Sequence, residues 1–135
     1  MEKIKILIAD DFAPVREIWK RFLCSDERID VVGECSNGQE AIEQVAIVKP
    51  DVVLLDINMA PVNGFEASAF IKEQFPSIKV LGISVHSDHN YVKRLMETGA
   101  NGFLPKSAQK EEMIQAILQV YKGMNYITEE FRNFK

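Results

Sequence analysis

The feature that most constrains this chain is a run of four apolar residues, Val52 to Leu55, that leads directly into Asp56. After Asp56 the sequence changes to loop-forming residues and reaches Gly64. An apolar run of this length, rich in branched side chains and bounded by turn residues, is typical of a strand buried on both faces. Such strands belong to parallel sheets. Asp56 is therefore expected at the carboxyl end of a central strand, where open α/β sheets bind their ligands.

The rest of the chain alternates strand patterns with helical patterns. Strands are predicted over 4–9, 29–35, 52–56, 78–84 and 101–104. Helices are predicted from Pro14, around 41–46, over 64–74, from an N-cap at Asp88 to Gly99, and up to about Gly123. Short connections and right-handed crossovers then give a doubly wound, flavodoxin-like α/β fold. Its five-stranded parallel sheet has the order 2-1-3-4-5 and is flanked by five helices.

Length and charge limit the organisation of the chain. Its 135 residues suffice for one domain, predicted over 1–123, and a tail over 124–135. The tail is expected to pack back on the domain, form a dimer contact or begin a linker. The net charge of −4 argues against nucleic-acid binding by this domain, because such domains usually carry a basic face.

Cysteine usage and hydropathy predict a cytoplasmic protein. Cys24 and Cys35 lack CxxC spacing, so two buried, reduced thiols are expected rather than a disulfide. No apolar run approaches the ~20 residues of a membrane span. The first strand is predicted to begin at Ile4, which leaves no room for a signal peptide.

Polar side chains stand at four of the five predicted strand ends. They are Asp10 and Asp11, Asp56, Ser84 and Lys106. Strands one and three are neighbours in the predicted order, so the three carboxylates should share one crevice. Carboxylates that close cannot all stay ionised unless something neutralises them, and oxygen ligands beside room for a phosphate suit Mg²⁺. An Asp nucleophile, a metal, a lysine and a hydroxyl together indicate phosphoryl transfer.

Each of these residues has a simpler explanation when taken alone. A single acid at a strand end is commonly a turn or cap residue, and an acid pair before a helix suits the positive helix N-terminus. A lone lysine is usually solvated, and Arg16 and Lys20 in the first helix are likewise expected to be solvated. The placement of the whole set at successive strand ends favours the joint functional interpretation.

Four segments carry a resemblance to a known family. They are Ile-Leu-Ile-Ala-Asp-Asp at 6–11, Asp-Ile-Asn-Met at 56–59, Asn-Gly-Phe-Glu at 63–66 and Gly-Ala-Asn-Gly-Phe-Leu-Pro-Lys at 99–106. With Ser84 at its strand end, they make about residues 3–123 resemble the receiver domain of bacterial two-component response regulators. The segment 104–108, with Tyr126 after the last helix, is most similar to receivers that precede a helix-turn-helix DNA-binding domain.

The resemblance implies a phosphoacceptor and a metal site. Asp56 would accept a phosphoryl group from a histidine kinase. Asp11 and Asp56 would bind Mg²⁺ (or Mn²⁺) directly, together with the backbone carbonyl of Asn58. Asp10 would hold the ion through water.

The resemblance also implies a switch. Ser84 would move toward the phosphoryl group, Lys106 would contact it, and Phe103 would swing inward. The surface around helix 4, strand 5 and helix 5 would change as a result. Thr is commoner than Ser at 84 in the family and Tyr is commoner than Phe at 103, while Ala60-Pro61 shifts the usual proline by one residue.

Two further side chains are predicted to affect the lifetime of the phosphorylated state. Asn58 lies two residues after Asp56, and His86 lies two residues after Ser84. Both should face the water that hydrolyses an acyl phosphate. The alternative for His86 is an exposed loop residue without a role.

The function predicted from these residues is a phosphorylation-dependent signalling switch that controls an output domain or partner, in transcription regulation. Its only predicted chemistry is Mg²⁺-dependent self-phosphorylation and autodephosphorylation, so it would not be an enzyme with turnover. Expected partners are a sensor histidine kinase or phosphotransfer protein and a second copy on phosphorylation. DNA would be bound only through an output domain absent from this chain, and no membrane would be bound.

Three other functions share part of this residue pattern. A phosphorylation-independent interaction module of the same fold is the main alternative, although the complete acid, hydroxyl and lysine set speaks against it. An aspartyl phosphatase would need an acid at position 58, where Asn58 stands. A flavin carrier would need a phosphate cradle where the first loop is acidic.

Overall fold

The computed structural model describes residues 2–59, 63–85 and 89–132. Its strands are β1 (Ile4–Ala9), β2 (Ile29–Cys35), β3 (Val52–Asp56), β4 (Lys79–Ser84), β5 (Gly102–Pro105) and β6 (Tyr126–Ile127). Its helices are α1 (Ala13–Cys24), α2 (Gly38–Val48), α3 (Gly64–Gln74), α4 (His89–Glu97) and α5 (Lys110–Tyr121). A short 3₁₀ helix, Glu129–Phe131, follows β6. No described helix is both long enough and apolar enough to cross a membrane.

The strands form one parallel sheet in the order β2-β1-β3-β4-β5-β6. The predicted order of the first five strands is confirmed, and β2 lies at an edge. The tail packs back on the domain, because its two-residue strand β6 pairs with β5. All five residues of β3 are buried, since β1 and β4 flank this strand and helices cover both of its faces.

Side-chain alternation along β3 divides the core into two layers. Val53 and Leu55 pack with residues of α2, α3 and α4. Val52 and Leu54 face the other side and pack with residues of α1 and α5. Asp56 ends the strand at the carboxyl edge of the sheet, so the one polar residue of β3 lies where the helical layers leave the sheet open.

Helix ends follow the predicted chemistry where they are described. The side chain of Asn63 accepts a hydrogen bond from Glu66 N at 2.9 Å and caps α3. Pro14 lies in the first turn of α1. Gly99 (φ 96°) and Gly123 (φ 92°) follow α4 and α5 in the left-handed region. The predicted N-cap Asp88 lies outside the described residues.

One prediction about burial is wrong. Cys24 is exposed and only Cys35 is buried, because α1 turns Trp19 and Leu23 into the core and leaves Cys24 facing outward. Neither cysteine forms a disulfide, and burial raises the pKa of the Cys35 thiol to about 12.

Gly64 sets the distance between α3 and the end of β3. Its N–H donates to Ile57 O at 2.8 Å. A Cβ at this position would lie 2.3 Å from Ile57 Cα and 2.6 Å from Asp56 O. Only a residue without a side chain allows this close approach of two backbones.

Gly64→Ala is therefore expected to lower the free energy of unfolding by at least about 2 kcal/mol, because backbone rather than a flexible side chain would have to move. Urea denaturation measures this change. Glu73→Ala, an exposed substitution on the same helix, should leave the midpoint nearly unchanged. A Gly64→Ala variant as stable as the Glu73→Ala variant would contradict the packing described for this residue.

Candidate functional site

The carboxyl edge of the sheet brings the predicted acids together. Asp10 directly follows β1 and Asp56 ends β3, and both are fully buried. Asp11 is exposed. One carboxylate oxygen from each of the three lies within 4.8 Å of the others. The predicted acidic crevice is thus present, with two acids on its floor and the third at its rim.

Lys106 lies between the two buried acids. Its Nζ is 3.2 Å from Asp56 Oδ2, to which it donates a hydrogen bond, and 3.0 Å from Asp10 Oδ2. Burial by itself would lower the pKa of Lys106, but attraction to Asp10 and Asp56 outweighs burial and raises it. The ammonium group therefore stays charged and offsets part of the negative charge of the crevice.

Asp56 remains electrostatically unfavourable despite Lys106. Burial, reinforced by the charge of Asp10, raises the pKa of Asp56 against the lowering effects of the Asn58 N–H and of Lys106. The Asn58 N–H donates to Asp56 Oδ1 at 3.0 Å. Among the described residues, three carboxylates thus face one ammonium group, which leaves an excess of negative charge.

The arrangement of oxygen atoms fits a divalent cation. Asp10 Oδ1 accepts a hydrogen bond from Phe12 N at 2.7 Å, and Asp10 Oδ2 is paired with the Lys106 ammonium group at 3.0 Å. One ammonium group cannot neutralise the clustered carboxylates, and a divalent cation would supply the missing positive charge. The ligand set of Asp10, Asp11 and Asp56 contains only oxygen, which suits a hard ion.

A hydrogen bond between Ser84 and Asn58 joins the end of β4 to the residues after Asp56. Ser84 is buried, and its hydroxyl donates to Asn58 Oδ1 at 2.8 Å. Its backbone carbonyl accepts from Lys106 N at 3.0 Å, which joins the ends of β4 and β5. The Ser84 hydroxyl thus lies at the carboxyl end of β4, the strand that neighbours β3, and is turned toward Asn58.

The structure places Phe103 inside the domain. This residue, predicted to swing inward, is fully buried on β5. Its ring packs edge-on against the ring of Phe131, with centroids 5.8 Å apart. His86 and Ala60-Pro61 lie outside the described residues, so the predictions that concern them stay predictions.

Comparison with known proteins decides the family. The sequence model of one protein family, the response regulator receiver domain, matches residues 6–118. The chain belongs to this family. The resemblance inferred from the acids, Ser84 and Lys106 is thereby confirmed.

Curated relatives of this receiver domain are regulators. DegU of Brevibacillus brevis, a transcriptional regulatory protein, is 41% identical over 125 residues, which cover 93% of this chain and 53% of DegU. The response regulator GacA of Pseudomonas aeruginosa is 39% identical over 125 residues, which cover 93% of this chain and 58% of GacA. This receiver domain therefore spans little more than half the length of the curated relatives it matches.

Solved structures support the same placement. The signal receiver domain of the response regulator NarL from Mycobacterium tuberculosis has a TM-score of 0.88 and 33% identity, and the match covers 91% of this chain and 99% of that one. A LuxR-family response regulator from Aurantimonas sp. SI85-9A1 has a TM-score of 0.93 and 25% identity, with 98% and 95% covered.

Arg16 is a site residue that the sequence did not reveal. It was expected to be solvated, but its side chain is only 19% exposed. Its Nη1 donates to the backbone carbonyl of Asp10 at 2.5 Å, and its Nε lies 3.5 Å from Glu34 Oε1 on β2. Lys20 donates to the same carboxylate at 2.8 Å. Arg16 thus connects the backbone of Asp10, at the end of β1, to Glu34 on the neighbouring strand β2.

One signal in the sequence pointed to this role. Arg16 lies near the start of α1, where a cation is unfavourable against the positive end of the helix. A cation in that position suggests a partner outside the helix. The pattern alone could not name Asp10 O, because the contact depends on how α1 lies against the end of β1.

Removal of the Lys106 charge should destabilise the receiver domain at neutral pH. Lys106→Met leaves two buried carboxylates without their ammonium group, so the free energy of unfolding should fall by about 2 kcal/mol, less than for a completely buried pair. The pKa of Asp56, already raised, rises further in the variant. The native variant then binds more protons than its unfolded chain, and its stability falls as pH rises.

The loss of unfolding free energy in Lys106→Met, relative to wild type, should therefore be largest near pH 7. It should shrink as pH falls through the raised pKa of Asp56. Urea denaturation at a series of pH values measures it. Mg²⁺ at pH 7 should restore part of the loss by supplying positive charge. Lys93→Met, an exposed lysine on α4, is the control and should behave like wild type; a pH-independent deficit in Lys106→Met would contradict the electrostatic explanation.

Arg16→Ala should weaken divalent-ion binding about tenfold, the lower range for residues that orient metal ligands. Equilibrium dialysis with Mn²⁺ measures the affinity. Arg16→Lys should be intermediate, since one ammonium group cannot replace a planar fork with several donors. Lys20→Ala removes a partner of the same Glu34 without touching Asp10 and should bind Mn²⁺ as wild type does; equal weakening in both alanine variants would assign the effect to Glu34 instead.

Proposed function

We propose that this receiver domain is a phosphorylation-dependent switch in which Asp56 accepts a phosphoryl group from a sensor histidine kinase or phosphotransfer protein. The observation that carries the proposal is the Lys106 ammonium group held between Asp10 and Asp56 at 3.0 and 3.2 Å. A buried carboxylate beside a fixed cation and a hydroxyl is built to meet the charge of a transferring phosphoryl group.

The chemistry follows from this arrangement. A carboxylate oxygen of Asp56 attacks the phosphorus of a phosphohistidine, the P–O bond forms as the P–N bond breaks, and the imidazole leaves. Lys106 stabilises the charge on the phosphoryl oxygens, and the Asn58 N–H orients the carboxylate. Ser84 donates its hydroxyl to the phosphoryl group once it turns away from Asn58.

Magnesium is the cofactor we propose, with manganese as a substitute. Asp11, Asp56 and the backbone carbonyl of Asn58 would hold the ion directly, and Asp10 would hold it through water. The bound ion would neutralise the crevice and the incoming phosphoryl group. The oxygen-only ligand set and the clustering of three carboxylates, only two of which are paired with Lys106, support this assignment.

The signal would leave the site through Ser84. When its hydroxyl moves to the phosphoryl group, its bond to Asn58 breaks, and the adjacent Phe103 and the surface of α4, β5 and α5 adjust. That surface would control an output domain or partner in transcription regulation, including a second copy of the domain. DNA would be bound only by an output domain outside this chain, and the protein would work in the cytoplasm without membrane contact.

The protein would not be an enzyme with turnover, because phosphorylation and hydrolysis both occur on its own Asp56. The exposed Asn58 side chain and His86 would set the rate of hydrolysis. A phosphorylation-independent interaction module is the alternative function, and it would need none of the charge pairing around Lys106.

Phosphorylation at Asp56 is tested by incubating the chain with Mg²⁺ and acetyl phosphate and measuring the intact mass. Wild type should gain one phosphate. Asp56→Asn should gain none, because an amide cannot form the acyl phosphate. Removal of Mg²⁺ with a chelator should abolish the gain in wild type.

Asp30→Asn is the matched control, an identical substitution of an exposed acid on β2, and it should be phosphorylated as wild type is. Loss of the mass gain in both variants would point to a general effect on the fold. A wild-type chain that gains no mass from acetyl phosphate or from a phosphorylated histidine kinase would favour the interaction module.

A further inference from the structure

The segment after α5 is joined to the domain by backbone and side-chain contacts. We call residues 124–132 the C-terminal strap. Its Tyr126 N–H donates to Asn101 O at 3.0 Å, and its Thr128 N–H donates to Phe103 O at 3.3 Å. These bonds pair β6 with β5 in parallel register. The strap is therefore part of the sheet and forms its edge beside β5.

Side chains outside the strap are matched to it. Glu112 Oε2 on α5 accepts hydrogen bonds from the Tyr126 hydroxyl at 2.7 Å and from the Thr128 hydroxyl at 2.8 Å. Gly102 leaves room for the strap backbone, since a Cβ there would lie 2.5 Å from Tyr126 O. Glu112 accepts from two strap hydroxyls, and Gly102 lets the strap backbone approach β5. Both features indicate that the strap docks in one specific position.

The strap also touches the two elements that lead to the phosphoryl site. The Phe131 ring packs edge-on against Phe103 on β5 and against His89, the first residue of α4, with centroid distances of 5.8 and 6.2 Å. Phe103 pairs with Gly82 on β4. Ser84, two residues further along β4, therefore lies on the same face of the sheet as Phe103.

β5 connects the strap to the lysine of the site. The last residue of β5 immediately precedes Lys106, which contacts Asp10 and Asp56. Without β6, this four-residue strand would be the edge of the sheet, with one side unpaired. Lys106 would be held less rigidly after a short strand at the edge of the sheet. A mobile binding group lowers affinity, because binding must then pay the entropy of holding it in place.

We propose that docking of the strap on β5 and binding of a phosphoryl group at Asp56 favour each other. This inference rests on the proposed function and adds a regulatory role for residues 124–132. The strap holds β5 and Phe103 in place and so preorganises Lys106 and Ser84. Because coupling between two sites is reciprocal, a phosphoryl group at Asp56 in turn stabilises the docked strap. A partner that pulled the strap away would lower the occupancy of the phosphorylated state.

Beryllofluoride with Mg²⁺ is the probe, applied to the full chain. Amide hydrogen exchange reports on the strap, and it should slow at Tyr126 and Thr128 when wild type is saturated with the probe. Affinity is measured through Trp19, the single tryptophan of the chain, whose ring centroid lies 6.0 Å from Lys106 Nζ.

Phe131→Ala should weaken beryllofluoride binding about fivefold, at the lower end of typical coupling between sites. Met124→Ala is the matched control, since this strap side chain is 51% exposed, and its affinity should equal that of wild type. Tyr126→Phe removes only the hydroxyl bound to Glu112 and should weaken beryllofluoride binding by a smaller factor. This second variant tests the coupling even if Phe131→Ala folds poorly.

The outcomes separate the two proposals. If wild type binds beryllofluoride but exchange at Tyr126 and Thr128 is unchanged, or if the Phe131 and Tyr126 variants bind it as tightly as wild type, the strap is only structural and the coupling is overturned. Faster strap exchange on binding would also overturn it, since the sign would be opposite. If wild type does not bind beryllofluoride at all, the proposed function of Asp56 fails and the coupling fails with it.

Discussion

The ion pairs of one lysine with two buried carboxylates determine how the rest of the structure must be arranged. Lys106 Nζ lies within 3.2 Å of Asp56 and within 3.0 Å of Asp10. Buried charges are tolerated only when they are paired and well placed, so the ends of β1, β3 and β5 must stay in register. The pairing is also incomplete, since in the part of the chain that the structure describes three carboxylates face one ammonium group. This excess of negative charge is unfavourable for the ionised carboxylates of Asp10 and Asp56. It makes the crevice suited to bind a cation.

The contacts around the crevice maintain that register from several sides. Gly64 brings α3 against the end of β3, and Arg16 ties the carbonyl of Asp10 to Glu34 on β2. On the far side, β6 pairs with β5 and supports the strand that carries Lys106. None of these three contacts supplies a reacting group. Each contact instead restricts the position of a residue that takes part in the reaction. Such restriction makes the site preorganised.

The fold was predictable because its signals are local and mutually consistent. The apolar run of β3, the alternation of strands with helical patterns, and glycines such as Gly99 each predict the same architecture. The residues of the acid crevice were predictable because parallel strands place their carboxyl ends together. Cys24 and Arg16 were misjudged, because their exposure depends on how α1 rotates against the sheet. Periodicity defines a helical face only to within about one residue position.

The sequence by itself determined the strand order, the acids at the strand ends and the family to which the chain belongs. Hydrophobic periodicity predicts the elements and the connection rules limit the topology, while the family follows from the resemblance of the strand-end segments to receiver domains. Tertiary structure alone decided which charges pair, that Arg16 reaches the Asp10 carbonyl, and that the tail becomes β6 with Phe131 on Phe103. Such contacts join residues distant in the chain, and their energies depend on distances of a few ångströms that no local pattern encodes.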